Sequence, residues 1–102
     1  NFEKEQEFDR APFGIVGLET SLPVSLKVLS THLTLPKIIE MMTIAPSRVL
    51  GLESGTLKVG ARADVVVFNP EEKWTLQASE LKSKSKNTPF DGHEMLGRVR
   101  AT

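Results

Sequence analysis

Histidine is the side chain most often recruited for proton transfer and metal binding near neutral pH. The sequence has two, His32 and His93, far apart in the chain, and no cysteine. A zinc site takes three or four ligands that converge from His, Cys, Asp or Glu. Neither histidine has partners at ligand spacing. His32 falls at an expected helix end, where an imidazole can meet the terminal carbonyls. His93 follows Asp91-Gly92 in a loop. A Ser-His-Asp set can be drawn on paper from most sequences and carries no weight without geometry. There is no Walker motif and no Gly-x-Gly-x-x-Gly. No catalytic residue and no metal ligand is therefore assigned within this stretch. What remains is Ala11-Pro12-Phe13-Gly14-Ile15-Val16-Gly17, whose proline and glycines argue against a regular helix. Glycine lets a backbone turn sharply or approach a ligand closely.

Several elements would have to position that segment. Residues 1–10 are polar, with Phe2 and Phe8 as the large apolar groups, and read as a loop or frayed arm. From about Leu18 to Ser30, Leu22, Leu26 and Leu29 recur at helical spacing, with Ser21 as N-cap and Pro23 in the first turn. Thr34 is expected to cap a second helix, whose core face carries Leu35, Ile38, Ile39 and Met42. A third, short helix is expected from near Pro46 to Gly51, with Val49 and Leu50 packed inward. Beyond Gly51 the pattern changes to short strands. Gly55 and Gly60 bracket a turn and a short strand over Thr56-Leu57-Lys58-Val59. Val65-Val66-Val67-Phe68 reads as a buried strand. Asn69-Pro70-Glu71-Glu72 has turn composition. Lys73-Trp74-Thr75-Leu76 alternates like a strand with one wet face. Trp74 is expected to pack over the sheet or at a domain junction and to take one hydrogen bond. Residues 77–93 are mostly loop, and the tail from Leu96 is a final strand.

Composition narrows the class. Thirteen basic residues balance thirteen acidic ones, so no net charge favours nucleic acid or an anionic membrane. Lys82, Lys84 and Lys86 alternate with serines and read as a solvated loop. No apolar run approaches the roughly 20 residues of a membrane span. The lack of cysteine fits a reducing, cytoplasmic setting. The first residue is Asn1 rather than methionine, so a mature or cut amino terminus is expected.

The order of motifs is more specific than any one of them. Arg10-Ala11-Pro12-Phe13-Gly14-Ile15-Val16-Gly17-Leu18-Glu19-Thr20 resembles the segment after the last barrel strand of dihydroorotases. Gly55-Thr56-Leu57-Lys58-Val59-Gly60-Ala61-Arg62-Ala63-Asp64, running into Val65–Phe68, is similar to the exit of amidohydrolases into a small β-domain. Asn87-Thr88-Pro89-Phe90 with Gly92, then Gly97-Arg98-Val99, resembles the dihydroorotase tail. The middle motif is shared across amidohydrolases, including allantoinases and dihydropyrimidinases. The first points to dihydroorotase.

The resemblance implies an α/β architecture. Residues 1–51 would supply the last loop and helices of a (β/α)8 barrel, and residues 52–102 strands of a small β-sandwich. It implies reversible closure of N-carbamoyl-L-aspartate to L-dihydroorotate, with zinc whose ligands precede Asn1. On that alignment Asp9 is a loop residue and not a catalytic base, although Asp9-Arg10-Ala11-Pro12 looks like the family's Asp-His-Ala-Pro. The substrate-binding positions carried over are Phe13 and Gly14, through their backbone, with Pro12 shaping the turn. The alternative is that Pro12 and Gly14 only form a turn at the barrel rim. Expected partners are the small-molecule substrate, the rest of the barrel, a second copy of the chain, and possible association with aspartate transcarbamoylase. Other readings are a non-catalytic scaffold for that transcarbamoylase, and an allantoinase or hydantoinase. The stretch by itself is expected to be inactive.

Overall fold

The computed structural model describes residues 7–11 and 13–102. Three helices come first: α1 (Ser21–Leu29), α2 (Leu35–Met42) and α3 (Ile44–Leu50). Strand β1 (Val67–Thr75) follows, then a 3-10 turn at Ala78–Glu80, then strand β2 (Glu94–Ala101). The two strands pair antiparallel. Helix α1 lies against β2, and α2 packs on α3. The change from helices to strands after Gly51 agrees with the apolar pattern.

Helix α1 begins at Ser21 rather than Leu18, and its N-cap is Thr20 rather than Ser21. Both hydroxyls bond backward, Thr20 Oγ1 to Gly17 O and Ser21 Oγ to Leu18 O. They close the preceding turn instead of capping the helix, a local competition open to both residues. Helix α2 starts after Thr34 with Pro36 in its first turn, as expected. Ile38 is its fully buried residue, and Ile39 is half-buried. Leu35 and Met42, at the ends of the stripe, stay exposed.

Helix α3 ends at Gly51, whose φ is 66°. Its inward residue is Ser47, which donates to Thr43 O at 3.0 Å and lies 2.9 Å from Ser54 Oγ. Val49, two positions on and about 200° round the helix, points away from Ser47, and Leu50 is the last helical residue before the Gly51 cap. They are exposed, against the expectation that they pack inward. The apolar pattern of a helix of two turns does not set its rotation; the buried Ser47 hydroxyl and its two polar partners do.

The second half departs further from the sequence reading. Thr56–Val59 forms no strand. Val65 and Val66 precede β1, and Val65, Val66 and Val67 are all exposed. Among the described residues no second layer covers them. Val65 and Val66 border an open apolar cleft of about 570 Å³ shared with Ile39, Met42 and Leu57. Asn69–Glu72 is not a turn between elements but a bulge within β1. Asn69 pairs with Arg98 and Lys73 with Leu96, so Pro70, Glu71 and Glu72 stand opposite Gly97 alone. Asn69 Oδ1 accepts the Glu71 N–H at 3.0 Å. The turn composition is thus used, but inside the strand, as bulges allow.

Gly97 is shaped by that bulge. Its φ is 87°, and a Cβ there would overlap Leu26 Cδ1 of α1. Leu26 is 3% exposed and has little room to move. The absent side chain is what lets helix and sheet approach. The Gly97 carbonyl accepts the Trp74 Nε1–H at 2.9 Å, the single bond that an indole needs. Arg98 stacks over the Trp74 ring, 5.5 Å from its centroid. Trp74 therefore lies over the sheet.

The core that matters for the site is small. Leu76, Leu81 and Met95 are buried together, with Val16, Val24, Trp74 and Phe90 packed around them. It draws Val16 from the loop before α1 and Leu76, Leu81 and Phe90 from the segment between β1 and β2.

Candidate functional site

The loop singled out by its glycines is held from two sides. Val16 turns its side chain into the core. Its N–H donates to the Asn87 carbonyl at 2.9 Å. Two residues earlier, the Gly14 carbonyl accepts from Asn87 Nδ2 at 2.5 Å. Only the amino end of an amide can face a carbonyl there, so the orientation of Asn87 is fixed. Asn87 is held locally: its N–H meets Ser85 Oγ at 3.3 Å, and the Phe90 N–H meets Thr88 Oγ1 at 3.3 Å. Phe90 anchors the far end of Asn87-Thr88-Pro89-Phe90 in the core that holds Val16. Two motifs distant in sequence therefore form one structural unit.

With Val16 directed inward, Phe13 and Ile15 are directed outward, Phe13 being 91% exposed. Gly14 has no positive φ, and a Cβ built on it meets nothing within 4 Å. Neither backbone conformation nor packing among the described residues demands glycine there. Its bare main chain leaves room for another group to approach. Pro12 lies outside the described residues.

Glu19 makes a second tie, which the sequence did not reveal. Its carboxylate accepts the Lys82 N–H at 3.1 Å and the Ser83 N–H at 3.0 Å. These two bonds, and secondarily the charges of Lys86 and Lys82, hold the carboxyl below the ordinary glutamate range. A depressed folded value gives stability above the ordinary value of 4.5 and loses it as pH falls through the folded one. Glu19 is exposed, so solvent screens the interaction. Glu19→Gln should lower stability by under about 1 kcal/mol at neutral pH. The gap between variant and wild type should narrow as pH falls below the ordinary value of 4.5, read from thermal melts at neutral and acidic pH. A gap that widened in acid would exclude this role.

The remaining sequence candidates stay apart. His32 is exposed in the turn after α1, and its N–H bonds the Leu29 carbonyl at 2.9 Å. His93 is exposed, with its ring 6.1 Å from that of Phe90. Asp64 pairs with Arg62 at 3.0 Å. Asp9 sits in a turn. Lys82, Lys84 and Lys86 are exposed, and Lys86 Nζ donates to the Leu81 carbonyl. Among the described residues, no three His, Cys, Asp or Glu gather in a way that could hold a metal ion. These residues do not fit a zinc site, and no chemical step through a metal is assigned to them. No helix among them is long and apolar enough to cross a membrane.

Known proteins share this arrangement. The model of the amidohydrolase family matches residues 25–102. The dihydroorotase of Geobacter sp. (strain M21) is 52% identical over 98 residues, which is 95% of this chain and 23% of that protein. The dihydroorotase of Geotalea daltonii is 48% identical over 101 residues, or 98% of this chain and 24% of that one. The chain thus spans about a quarter of the length of these relatives. Among solved structures, the L-hydantoinase (dihydropyrimidinase) of Arthrobacter aurescens superposes with a TM-score of 0.77 at 33% identity, over 94% of this chain and 23% of that one. A D-hydantoinase superposes with a TM-score of 0.79 at 22% identity, over 97% and 22%, and shares the fold. A family match over residues 25–102, joined to these similarities over almost the whole chain, places the protein in the amidohydrolase family.

Proposed function

We propose that the chain is the carboxy-terminal part of a dihydroorotase, which interconverts N-carbamoyl-L-aspartate and L-dihydroorotate. The observation that carries this reading is identity of about half over nearly the whole chain to dihydroorotases. In this reading residues 1–51 close a (β/α)8 barrel and residues 52–102 contribute to a small β-sandwich. In the hydrolytic direction water adds to the ring carbonyl carbon, the ring C–N bond breaks, and a proton passes to the departing nitrogen. Catalytic groups and zinc ligands then belong to the rest of the protein, and the isolated stretch is inactive.

The part assigned to these residues is binding. Main-chain groups at Phe13 and Gly14, with Pro12 setting the turn, border the ring. Backbone N–H and C=O groups can read the edge of a cyclic imide, and a bare Gly14 keeps the approach clear. The same reading carries a cytoplasmic setting and a homo-oligomer. Association with aspartate transcarbamoylase belongs to its non-catalytic variant.

The likeness to an L-hydantoinase favours a second reading, a hydantoinase or dihydropyrimidinase. Turnover of the full-length enzyme on dihydroorotate, dihydrouracil and hydantoin separates them. Dihydroorotate is expected to give a kcat/KM at least about a hundredfold above the others, since a missing ring carboxylate leaves its binding groups unpaired. Preference for hydantoin or dihydrouracil would overturn the assignment, and turnover of none would favour the scaffold.

A further inference from the structure

We infer that Asn87 is a positioning residue for the ring-binding main chain, fixing Gly14 and Val16 from the far side of the loop. The inference rests on the reading that Phe13 and Gly14 border the substrate. Asn87 touches this loop twice, by its side-chain amide on the Gly14 carbonyl and by its own carbonyl on the Val16 N–H. The two bonds bracket Ile15. They hold an extended three-residue segment at both ends, so the peptide groups on either side of Gly14 keep one orientation.

Phe13 and Ile15 are turned outward, and Gly14 has nothing within 4 Å of its Cβ position. Without the Asn87 side chain, the Gly14 carbonyl would lose this partner, and the φ and ψ of the glycine would gain freedom. A binding group that must be ordered at the moment of binding weakens affinity without altering the bond-breaking step. Asn87 is itself made rigid by Phe90, which is packed in the core three residues on. The geometry thus assigns the Asn-Thr-Pro-Phe motif a purpose: a core-anchored arm that reaches back and sets the loop.

The test uses the full-length enzyme with Asn87→Ala and Asn87→Asp. Aspartate keeps the shape but offers oxygen to a carbonyl, so it loses the side-chain bond while the backbone bond to Val16 remains. Both variants should raise KM for dihydroorotate about five- to tenfold and leave kcat within about twofold, the pattern of lost binding common to ground and transition states. A merely structural asparagine would lower the melting temperature and the active fraction without moving KM. Unchanged KM in a folded Asn87→Asp enzyme would therefore overturn the inference, even if Asn87→Ala fails to fold. Failure of the wild-type enzyme to turn over dihydroorotate would instead overturn the functional reading on which it rests.

Discussion

Replacing Gly55 with alanine is expected to destabilise the full-length protein by at least about 3 kcal/mol, read from denaturant unfolding. Two effects add. Gly55 has φ 76°, a left-handed conformation that costs a residue with a side chain about 1–2 kcal/mol. The second effect is the larger. A Cβ there would lie 2.8 Å from Ile44 N, 2.8 Å from the Thr43 carbonyl carbon and 2.9 Å from its oxygen. These are backbone atoms, and no rotamer change moves them. The start of α3 would have to shift away from the loop that follows it. That loop is tied back by Leu52 N–H on the Ser47 carbonyl at 2.8 Å and by Ser54 Oγ near Ser47 Oγ at 2.9 Å. A companion variant separates the causes. Asparagine tolerates the left-handed region better than alanine does. If φ alone mattered, Gly55→Asn would recover much of the loss. If backbone overlap dominates, it recovers almost nothing, because its Cβ meets the same atoms. Full recovery by asparagine would refute the close approach.

The same residues show what the sequence discloses and what it hides. Gly55 and Gly51 are legible as breaks, because glycine punctuates chain direction by its own conformational freedom. That Gly55 lies against the start of α3 is not legible, since the constraint comes from a partner segment. Helix α2 could be read almost to the residue: its proline, its N-terminal threonine and its apolar stripe are all local. The strands could not. Val65–Phe68 has the composition of a buried strand, yet burial needs a covering layer that these residues do not bring. Asn69-Pro70-Glu71-Glu72 has the composition of a turn, and the chain spends it on a bulge opposite Gly97. The loop around Gly14 could be singled out by composition and resemblance. Its two ties could not, because Asn87 and Glu19 act over 73 and more than 60 positions. A side-chain to main-chain bond over such distances leaves no periodicity. What the sequence offered was the Asn-Thr-Pro-Phe landmark itself, without its partner.

Substituting Leu76 by alanine should cost about 3 kcal/mol and, unlike an ordinary core deletion, should also weaken substrate binding. Leu76 is 1% exposed at the centre of the cluster with Leu81 and Met95. Removing its three distal carbons loses their transfer free energy and leaves a void that the surroundings fill only in part, for about 2–5 kcal/mol in such sites. Collapse is restricted here because the backbone of Leu76 is pinned on both sides. Its N–H bonds the His93 carbonyl at 3.0 Å, and its carbonyl accepts the Gly92 N–H at 2.8 Å. The side chains packed on the cluster from the loop side include Val16 and Phe90. Those two residues seat the Gly14 loop, proposed above to border the substrate ring, and its Asn87 arm. Their slackening should raise KM for dihydroorotate along with the loss of stability, whereas kcat should hold. Leu76→Met keeps the volume and should cost under about 1.5 kcal/mol with KM unchanged. Denaturant unfolding together with steady-state kinetics on the two variants checks both halves. Were KM to stay fixed in a folded Leu76→Ala enzyme, the loop would be seated by something other than this core.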